Sequence, residues 1–193
     1  TLVKFILALA VIGFFTACNS SGDFNFEDDP SFKHHEDKMV TLGFNILING
    51  EYITQGGDAI NCPGLGKVTH KGEGTGTHFK KLTTYFEFCV NPDDGSYPHG
   101  YMIGNFTDEN GDELYVQIPD GRVILGRVPG MPSYAVSYFK DDFIITGGTG
   151  KFEGATGEGI TNDYNYPVDE EGYPFPTKTR HHWQGTITMK KGK

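Results

Sequence analysis

Apolar and polar residues alternate along most of the chain beyond residue 38. The first such run has apolar side chains at every second position: Val40, Leu42, Phe44, Ile46 and Ile48. Because successive side chains of a strand point to opposite faces, this run predicts a half-buried strand. Residues 79–90 repeat the pattern, with Leu82, Phe86 and Phe88 on one face and Cys89 on the more polar face.

Turn residues separate further short segments of extended character. The strand candidates are 51–60, 65–72, 100–107, 112–118, 122–128, 133–139, 142–147, 155–164 and 180–190. The clearest turn is Asn110-Gly111, since both residues accept the positive φ of a type I′ hairpin. Many short strands with frequent turns predict an all-β fold, either a sandwich or a closed barrel, and closure removes exposed strand edges.

The first eighteen residues have a different pattern. Lys4 precedes an apolar run over 5–15, which ends at Thr16-Ala17-Cys18. This arrangement resembles a bacterial lipoprotein signal peptide, with a positive n-region, an apolar h-region and small residues before the cut. The run is shorter than the about 20 residues of a spanning helix. The resemblance implies that 1–17 are removed and that Cys18 is diacylated as the membrane anchor.

The next segment, 18–38, is polar and acidic. It contains too little apolar surface to fold alone and is predicted to be a flexible tether. Its stretch Glu27-Asp28-Asp29 resembles the export signals of some Gram-negative lipoproteins, which implies outer-membrane attachment, facing the periplasm or the cell surface. Residues 39–193 have the length of one domain, and we expect a single barrel there.

The charge of the chain limits the kinds of partner that it can bind. The chain has 16 Lys and Arg against 25 Asp and Glu, a net charge of −9, and its basic residues are scattered. Nucleic-acid binding needs clustered basic residues, so we expect no nucleic acid as partner. With Cys18 lipidated, Cys62 and Cys89 remain as an even pair in an oxidising compartment, and a disulfide between them would stabilise the fold by about 3–4 kcal/mol. A redox or nucleophilic thiol is the alternative, but no Cys-x-x-Cys spacing is present.

Two segments resemble the allene oxide cyclase and dirigent-type barrel superfamily. They are Gly104–Tyr115, GNFTDENGDELY, and Ile144–Gly159, IITGGTGKFEGATGEG, and the similarity spans about 64–162. The resemblance implies an antiparallel eight-stranded barrel of calycin-like form with a central cavity, and a homo-trimer as in plant members. It carries over no catalytic residue. Its structural positions here are Gly147, Gly148, Gly150, Phe152, Gly154, Ala155 and Gly157.

The glycine segment does not fit a nucleotide site. After Gly148 and Gly150 the third glycine, Gly154, comes one residue too late for a dinucleotide fingerprint, and no Ser or Thr follows Gly150-Lys151. The 108–119 segment begins like a calcium loop, but Glu113 stands where that loop needs glycine. We therefore expect no cofactor.

The histidines and acidic pairs give weak chemical signals. The adjacent pairs His34-His35 and His181-His182 point to opposite faces if extended, so neither pair chelates one ion easily. His70 and His78 flank a predicted turn at 72–76 and could meet across a hairpin, but a third zinc ligand is missing, and we expect no metal. Asp93-Asp94 and Asp141-Asp142 lie in predicted turns, where solvated carboxylates are the simplest interpretation.

Three functional hypotheses remain open. The first is a non-catalytic, lipid-anchored barrel that holds a small apolar molecule or presents its surface to a partner. The second is a cavity-based isomerase or cyclase, which needs an ionisable group pointing inward. The third is a structural or adhesive surface protein that uses the tyrosine-rich loops 95–101 and 163–175. A cavity lined only by carbon favours the ligand-binding barrel, and a cavity with convergent polar groups favours the enzyme. A filled barrel without a cavity favours the structural or adhesive protein.

Overall fold

The computed structural model describes residues 38–53, 62, 64–98, 100, 102–126, 128–167 and 177–192. In these ranges the fold is all-β, with strands, one 3-10 turn and no α-helix. The strands are β1 Met39–Ile53, β2 Gly66–Gly76, β3 Phe79–Val90, β4 Ser96–Tyr97, β5 Met102–Asp108, β6 Glu113–Gln117, β7 Gly121–Arg122, β8 Ile124–Leu125, β9 Ser137–Phe139, β10 Asp142–Gly148, β11 Thr156–Thr161, β12 Asp163–Pro167 and β13 Thr177–Lys190. None of the described elements is a helix with the length and apolar character of a membrane span.

Eight strands form a closed antiparallel barrel. Their order around the ring is β1-β2-β3-β5-β6-β10-β11-β13, and β13 pairs with β1 to close it. Closure pairs the first strand with the last, from Met39 opposite Lys190 to Glu51 opposite Lys178. The predicted eight-stranded barrel is confirmed, and the closed ring leaves none of these eight strands as an edge.

The remaining strands lie outside the ring. β12, β9 and β8 continue from the Thr177 half of β13, and β4 pairs with β7 as a separate two-stranded sheet. The predicted strand 155–164 is broken at Asn162, where β11 ends and β12 begins. The predicted strand 51–60 is the end of β1 up to Ile53, and 54–60 lie outside the described residues.

The hairpin at Asn110-Gly111 is confirmed, but the predicted type I′ turn is wrong. Gly111 has a positive φ of 87°, whereas Asn110 is not among the described residues with positive φ. The backbone N–H of Asp108 donates to Asp112, and the Asp108 carboxylate accepts from the N–H groups of Asn110 and Asp112. The Asp108 side chain therefore stabilises a loop wider than a two-residue turn. Lys151 Nζ lies 2.5 Å from Asp108 Oδ2.

The glycine segment forms the β10–β11 corner. The register of β10 shifts between Ile145 and Gly147, and Gly150 and Gly154 have positive φ. Phe152, in the 3-10 turn Gly150–Phe152, is fully buried and stacks on Phe79 at 4.9 Å. The corner thus lets the chain turn sharply while Phe152 fills this end of the barrel, which we call the Phe152 end.

Aromatic side chains fill the middle of the barrel. Trp183 is buried, lies parallel to Phe86 at 5.4 Å, and meets the edge of Phe106 at 5.3 Å. Phe143 contacts Trp183 from β10 at 4.8 Å. Such rings supply most of the apolar burial that stabilises the fold. The packed core therefore reaches from the Phe152 end to Trp183.

Cys62 and Cys89 lie at disulfide distance, with Cα atoms 5.5 Å apart. Cys89 lies on the outer face of β3, as the alternation predicts. That face is not uniformly polar and exposed, however, because Glu87 and Cys89 are both buried. The bridge ties residue 62 to the outside of the barrel wall.

Candidate functional site

A small cavity lies inside the barrel at the end opposite Phe152, which we call the Tyr52 end. Its volume is about 30 Å³, room for one or two water molecules. The lining side chains are Tyr52, His70, Phe86, Phe88, Tyr97, Met102, Ile118, Phe139, Asp163, His181 and Trp183. Most of this lining is aromatic or aliphatic, and the polar groups come from five strands, β1, β2, β4, β12 and β13.

Alternation along β13 turns His181 into the barrel. Every second position of this strand faces the inside of the barrel, and the buried residues at such positions include Thr179, His181, Trp183 and Ile187. His182 lies on the outer side, where its ring contacts the Asn45 side chain at 3.1 Å. The expectation that adjacent histidines point to opposite faces is therefore confirmed for His181 and His182. Because β12 pairs with β13 at this end, Asp163 also points inward.

Asp163 accepts three hydrogen bonds inside the barrel. His181 Nδ1 lies 2.6 Å and Trp183 Nε1 lies 3.0 Å from Asp163 Oδ2. The backbone N–H of His182 donates to Oδ1 at 2.9 Å. Indole and backbone N–H groups can only donate, so Asp163 serves them as a carboxylate acceptor. The same carboxylate holds a proton on His181 Nδ1, and in the singly protonated ring this leaves Nε2 as an acceptor.

His70 meets this acceptor from the opposite wall. Its Nε2 lies 3.1 Å from His181 Nε2, and Thr179 Oγ1 lies 2.8 Å from both nitrogen atoms. Thr179 has one hydroxyl proton and cannot donate to two bare nitrogens at once. The geometry is satisfied when His70 carries its proton on Nε2, towards His181 and Thr179.

This proton order leaves His70 Nδ1 as a bare acceptor. The atom is buried and has no hydrogen-bond partner among the described residues. Burial, and then the neighbouring His181, hold the pKa of His70 well below its ordinary value, so the ring is neutral at pH 7. Phe86 stacks on the ring at 5.5 Å, and Tyr52 meets it edge-on at 5.6 Å. A buried lone pair in aromatic surroundings can accept a hydrogen bond or a proton from a bound molecule.

Gly50 makes room for this ring. A Cβ atom at Gly50 would overlap Nε2 of His70 and would lie 2.7 Å from the Lys71 carbonyl oxygen. Gly50 pairs with Thr179 across the β1–β13 ladder. The absence of a side chain at Gly50 therefore lets His70 reach across β1 to β13.

A second polar group borders the cavity. The Tyr97 hydroxyl donates to the Asp141 carboxylate, which also accepts from the backbone N–H of Arg122 at 3.2 Å. Burial raises the pKa of Asp141 to about 7, opposed by the Arg122 hydrogen bond. Tyr97 packs edge-on to Phe88 at 5.8 Å, so this contact fixes the β4–β7 sheet against the cavity.

Tyr52 adds a phenol to the same end of the barrel. Burial and, after it, the Asp163 carboxylate raise the pKa of Tyr52 far above its ordinary value. The phenol is therefore neutral throughout the physiological range. Two carboxylates, two imidazoles and two phenols meet at this end, although the described residues contain no group of three side chains arranged to hold a metal ion.

Several expectations about the histidines and acidic pairs need correction. The 72–76 segment is part of β2 and not a turn, so His70 and His78 do not approach each other; His78 contacts the Gly43 carbonyl at 3.0 Å. Asp141 is half-buried with a raised pKa, so the interpretation as a solvated turn carboxylate is wrong for it. His34, His35 and Cys18 lie outside the described residues.

Sequence reasoning missed Asp163, Thr179, Tyr52 and the contact between His70 and His181. The sequence contained one indication for His181. It stands at an even spacing from Trp183 and Ile187, so in a strand it lies on the same apolar face as they do. A histidine on such a face is buried and needs a polar partner. The identity of that partner depends on pairing between distant strands, which the sequence pattern does not reveal.

Comparison of the chain with protein-family models, with curated proteins and with solved structures finds no match. The resemblance to the allene oxide cyclase and dirigent-type superfamily therefore rests on the two sequence motifs alone.

Proposed function

We propose that this protein binds a small, mostly apolar molecule with a hydrogen-bond donor at the Tyr52 end of the barrel. The observation that carries the proposal is the buried Nδ1 atom of His70, an acceptor without a partner among the described residues. Leaving such a group unpaired costs about 1–3 kcal/mol, and a ligand O–H or N–H removes this cost.

The cavity walls favour an apolar body on that ligand. Phe86, Phe88, Met102 and Ile118 line the space with carbon. Asp163 is hydrogen-bonded to His181 and Trp183, and the Tyr97 hydroxyl is hydrogen-bonded to Asp141. The cavity of about 30 Å³ is far below the about 300–1,000 Å³ of typical ligand sites. A ligand larger than water therefore requires the side chains around this space to move apart.

Phenol and toluene form a matched pair of probes, since they differ in one donor. The full chain is titrated with each probe, and binding is followed by NMR. Phenol is expected to bind about 5- to 10-fold more tightly, which corresponds to one hydrogen bond. His70→Phe is expected to abolish the difference, whereas His182→Phe, on the outer face of the same barrel, keeps it. Equal binding of both probes, or binding of neither, contradicts the proposal.

The cellular setting is proposed from the sequence. A lipid anchor at Cys18 would hold the barrel at the outer membrane of a Gram-negative cell, where it could capture its ligand from the envelope. Native mass spectrometry of the full chain from its own host tests for a bound natural molecule. A reproducible extra mass that is lost on denaturation supports the binding role.

A surface-interaction role has one observation in its favour. Tyr134, Tyr164 and Tyr166 form a cluster on the outside of the barrel, with ring centroids 5.4–6.1 Å apart. Tyr134 is 56% exposed, and tyrosine is enriched at binding hot spots. Tyr164 and Tyr166 lie on β12, so the predicted 163–175 loop is a strand over its described part.

A further inference from the structure

We infer that Asp163, His181 and His70 form a proton relay that takes a proton from the bound molecule at His70 Nδ1 and returns it to another atom of that molecule. This inference rests on the proposed function, because it needs a ligand whose donor reaches Nδ1. It adds a reaction to that binding site, namely tautomerisation of a small, mostly apolar enol or ketone.

The resting proton order makes His70 a base. Asp163 holds the His181 proton on Nδ1 at 2.6 Å, so His181 Nε2 is free to accept. His70 Nε2 donates towards it across 3.1 Å, and the lone pair of His70 Nδ1 is left for the ligand. If the His70 proton moved to Nδ1 while His181 kept its proton on Nδ1, the bare Nε2 lone pairs of the two rings would face each other.

The transfer is balanced without any further reactant. An enol O–H gives its proton to His70 Nδ1, and the Nε2 proton of His70 passes to His181 Nε2. The resulting His181 imidazolium lies against the Asp163 carboxylate, which stabilises its charge. When the protons move back, His70 delivers its Nδ1 proton to the ligand carbon, the enol oxygen becomes a carbonyl, and the relay is restored.

The surroundings suit this chemistry. The relay lies inside an aromatic cavity with little room for water, where a neutral imidazole of lowered proton affinity can still remove a proton because His181 accepts one in turn. His70 is the base in contact with the ligand, and Asp163 and His181 are positioning residues. General base catalysis of this kind contributes about 10²–10⁴-fold to a rate.

The proton order can be measured without any ligand. Long-range ¹H–¹⁵N correlation spectra of the ¹⁵N-labelled full chain distinguish the two tautomers of each histidine, and single variants assign the signals. The expected result is an Nε2–H form for His70 and an Nδ1–H form for His181. An Nδ1–H form for His70 at pH 7 overturns the relay.

The base is tested with 5-nitrobenzisoxazole, a flat apolar carbon acid. Loss of its C3 proton to a base forms the nitrile and breaks the N–O bond, which releases a coloured phenolate. His70→Phe is expected to lower the rate about 100-fold, Asp163→Asn to lower it while changing the His181 tautomer, and His182→Phe to leave it unchanged. If Asp163→Asn does not fold, His181→Gln tests the same step.

The outcomes separate the two proposals. If phenol binds better than toluene but His70→Phe releases phenolate as fast as the unaltered chain, the relay is wrong and the binding site stands. If the tautomers and the phenolate rates are as expected but phenol has no advantage, the proposed donor recognition fails and the base stands.

Discussion

The Nε2 atoms of His70 and His181 lie 3.1 Å apart inside the barrel, on strands that are separated by β1. Two imidazoles can share this distance only with a single proton between them, or with the hydroxyl of Thr179 as mediator. Both rings cannot be doubly protonated here without placing two N–H groups and two positive charges against each other. The contact therefore makes the fold sensitive to acid.

His70 is predicted to destabilise the fold below pH 6.5. Its folded pKa is lowered, so the unfolded chain binds more protons there, and stability present above pH 6.5 is lost as the pH falls. The free energy of unfolding, measured with urea at about pH 7.5 and about pH 5, should fall more between these two pH values for the unaltered chain than for His70→Phe. Equal losses would mean that His70 is already charged in the folded protein.

Asp163 is predicted to hold the Tyr52 end together. Asp163→Ala removes the acceptor for His181, Trp183 and the His182 backbone at once. Breaking a buried, fully paired group of this kind costs about 3–5 kcal/mol, to be measured by urea unfolding. Asp142→Ala, at an exposed position, should stay within about 0.5 kcal/mol.

The period-two pattern predicted the local part of this structure. Phe44, Ile46 and Ile48 are buried as the alternation indicates, and the resemblance implied the eight-stranded ring. The polar end of the cavity was not predictable, because it depends on the pairing of β13 with β1 and β12 and on the missing side chain at Gly50. Parity shows that His181 faces inward, but only long-range register brings it to His70.

Substitution of Gly72 by alanine is predicted to destabilise the fold, whereas the same substitution at Gly43 is not. A Cβ atom at Gly72 would lie 2.7 Å from the Ile48 side chain and 2.9 Å from the Asn49 carbonyl oxygen. Gly72→Ala should therefore cost about 1–3 kcal/mol through overpacking. At Gly43 nothing lies within 4 Å of such an atom, so Gly43→Ala should be neutral or stabilising by up to about 1 kcal/mol. Urea unfolding of both variants provides the comparison.

Asp141 is predicted to weaken the fold as the pH rises. Burial raises its pKa from 3.8 to about 7, so the folded protein binds a proton that the unfolded chain has released. The stability from this group is therefore fully present below pH 3.8 and is lost as the pH rises through about 7. Asp141→Asn, which can still contact Tyr97 and the Arg122 N–H, should remove this dependence.

The comparison needs a matched carboxylate, and exposed Asp142 is the direct neighbour. The melting temperatures of the unaltered chain, Asp141→Asn and Asp142→Asn are followed from about pH 5 to about pH 8. The melting temperature of Asp142→Asn should fall with rising pH almost as much as that of the unaltered chain. At about pH 8, Asp141→Asn should have a higher melting temperature than the unaltered chain. A decline that persists in Asp141→Asn would place the titrating group elsewhere and leave the Tyr97 contact without a role in pH sensitivity.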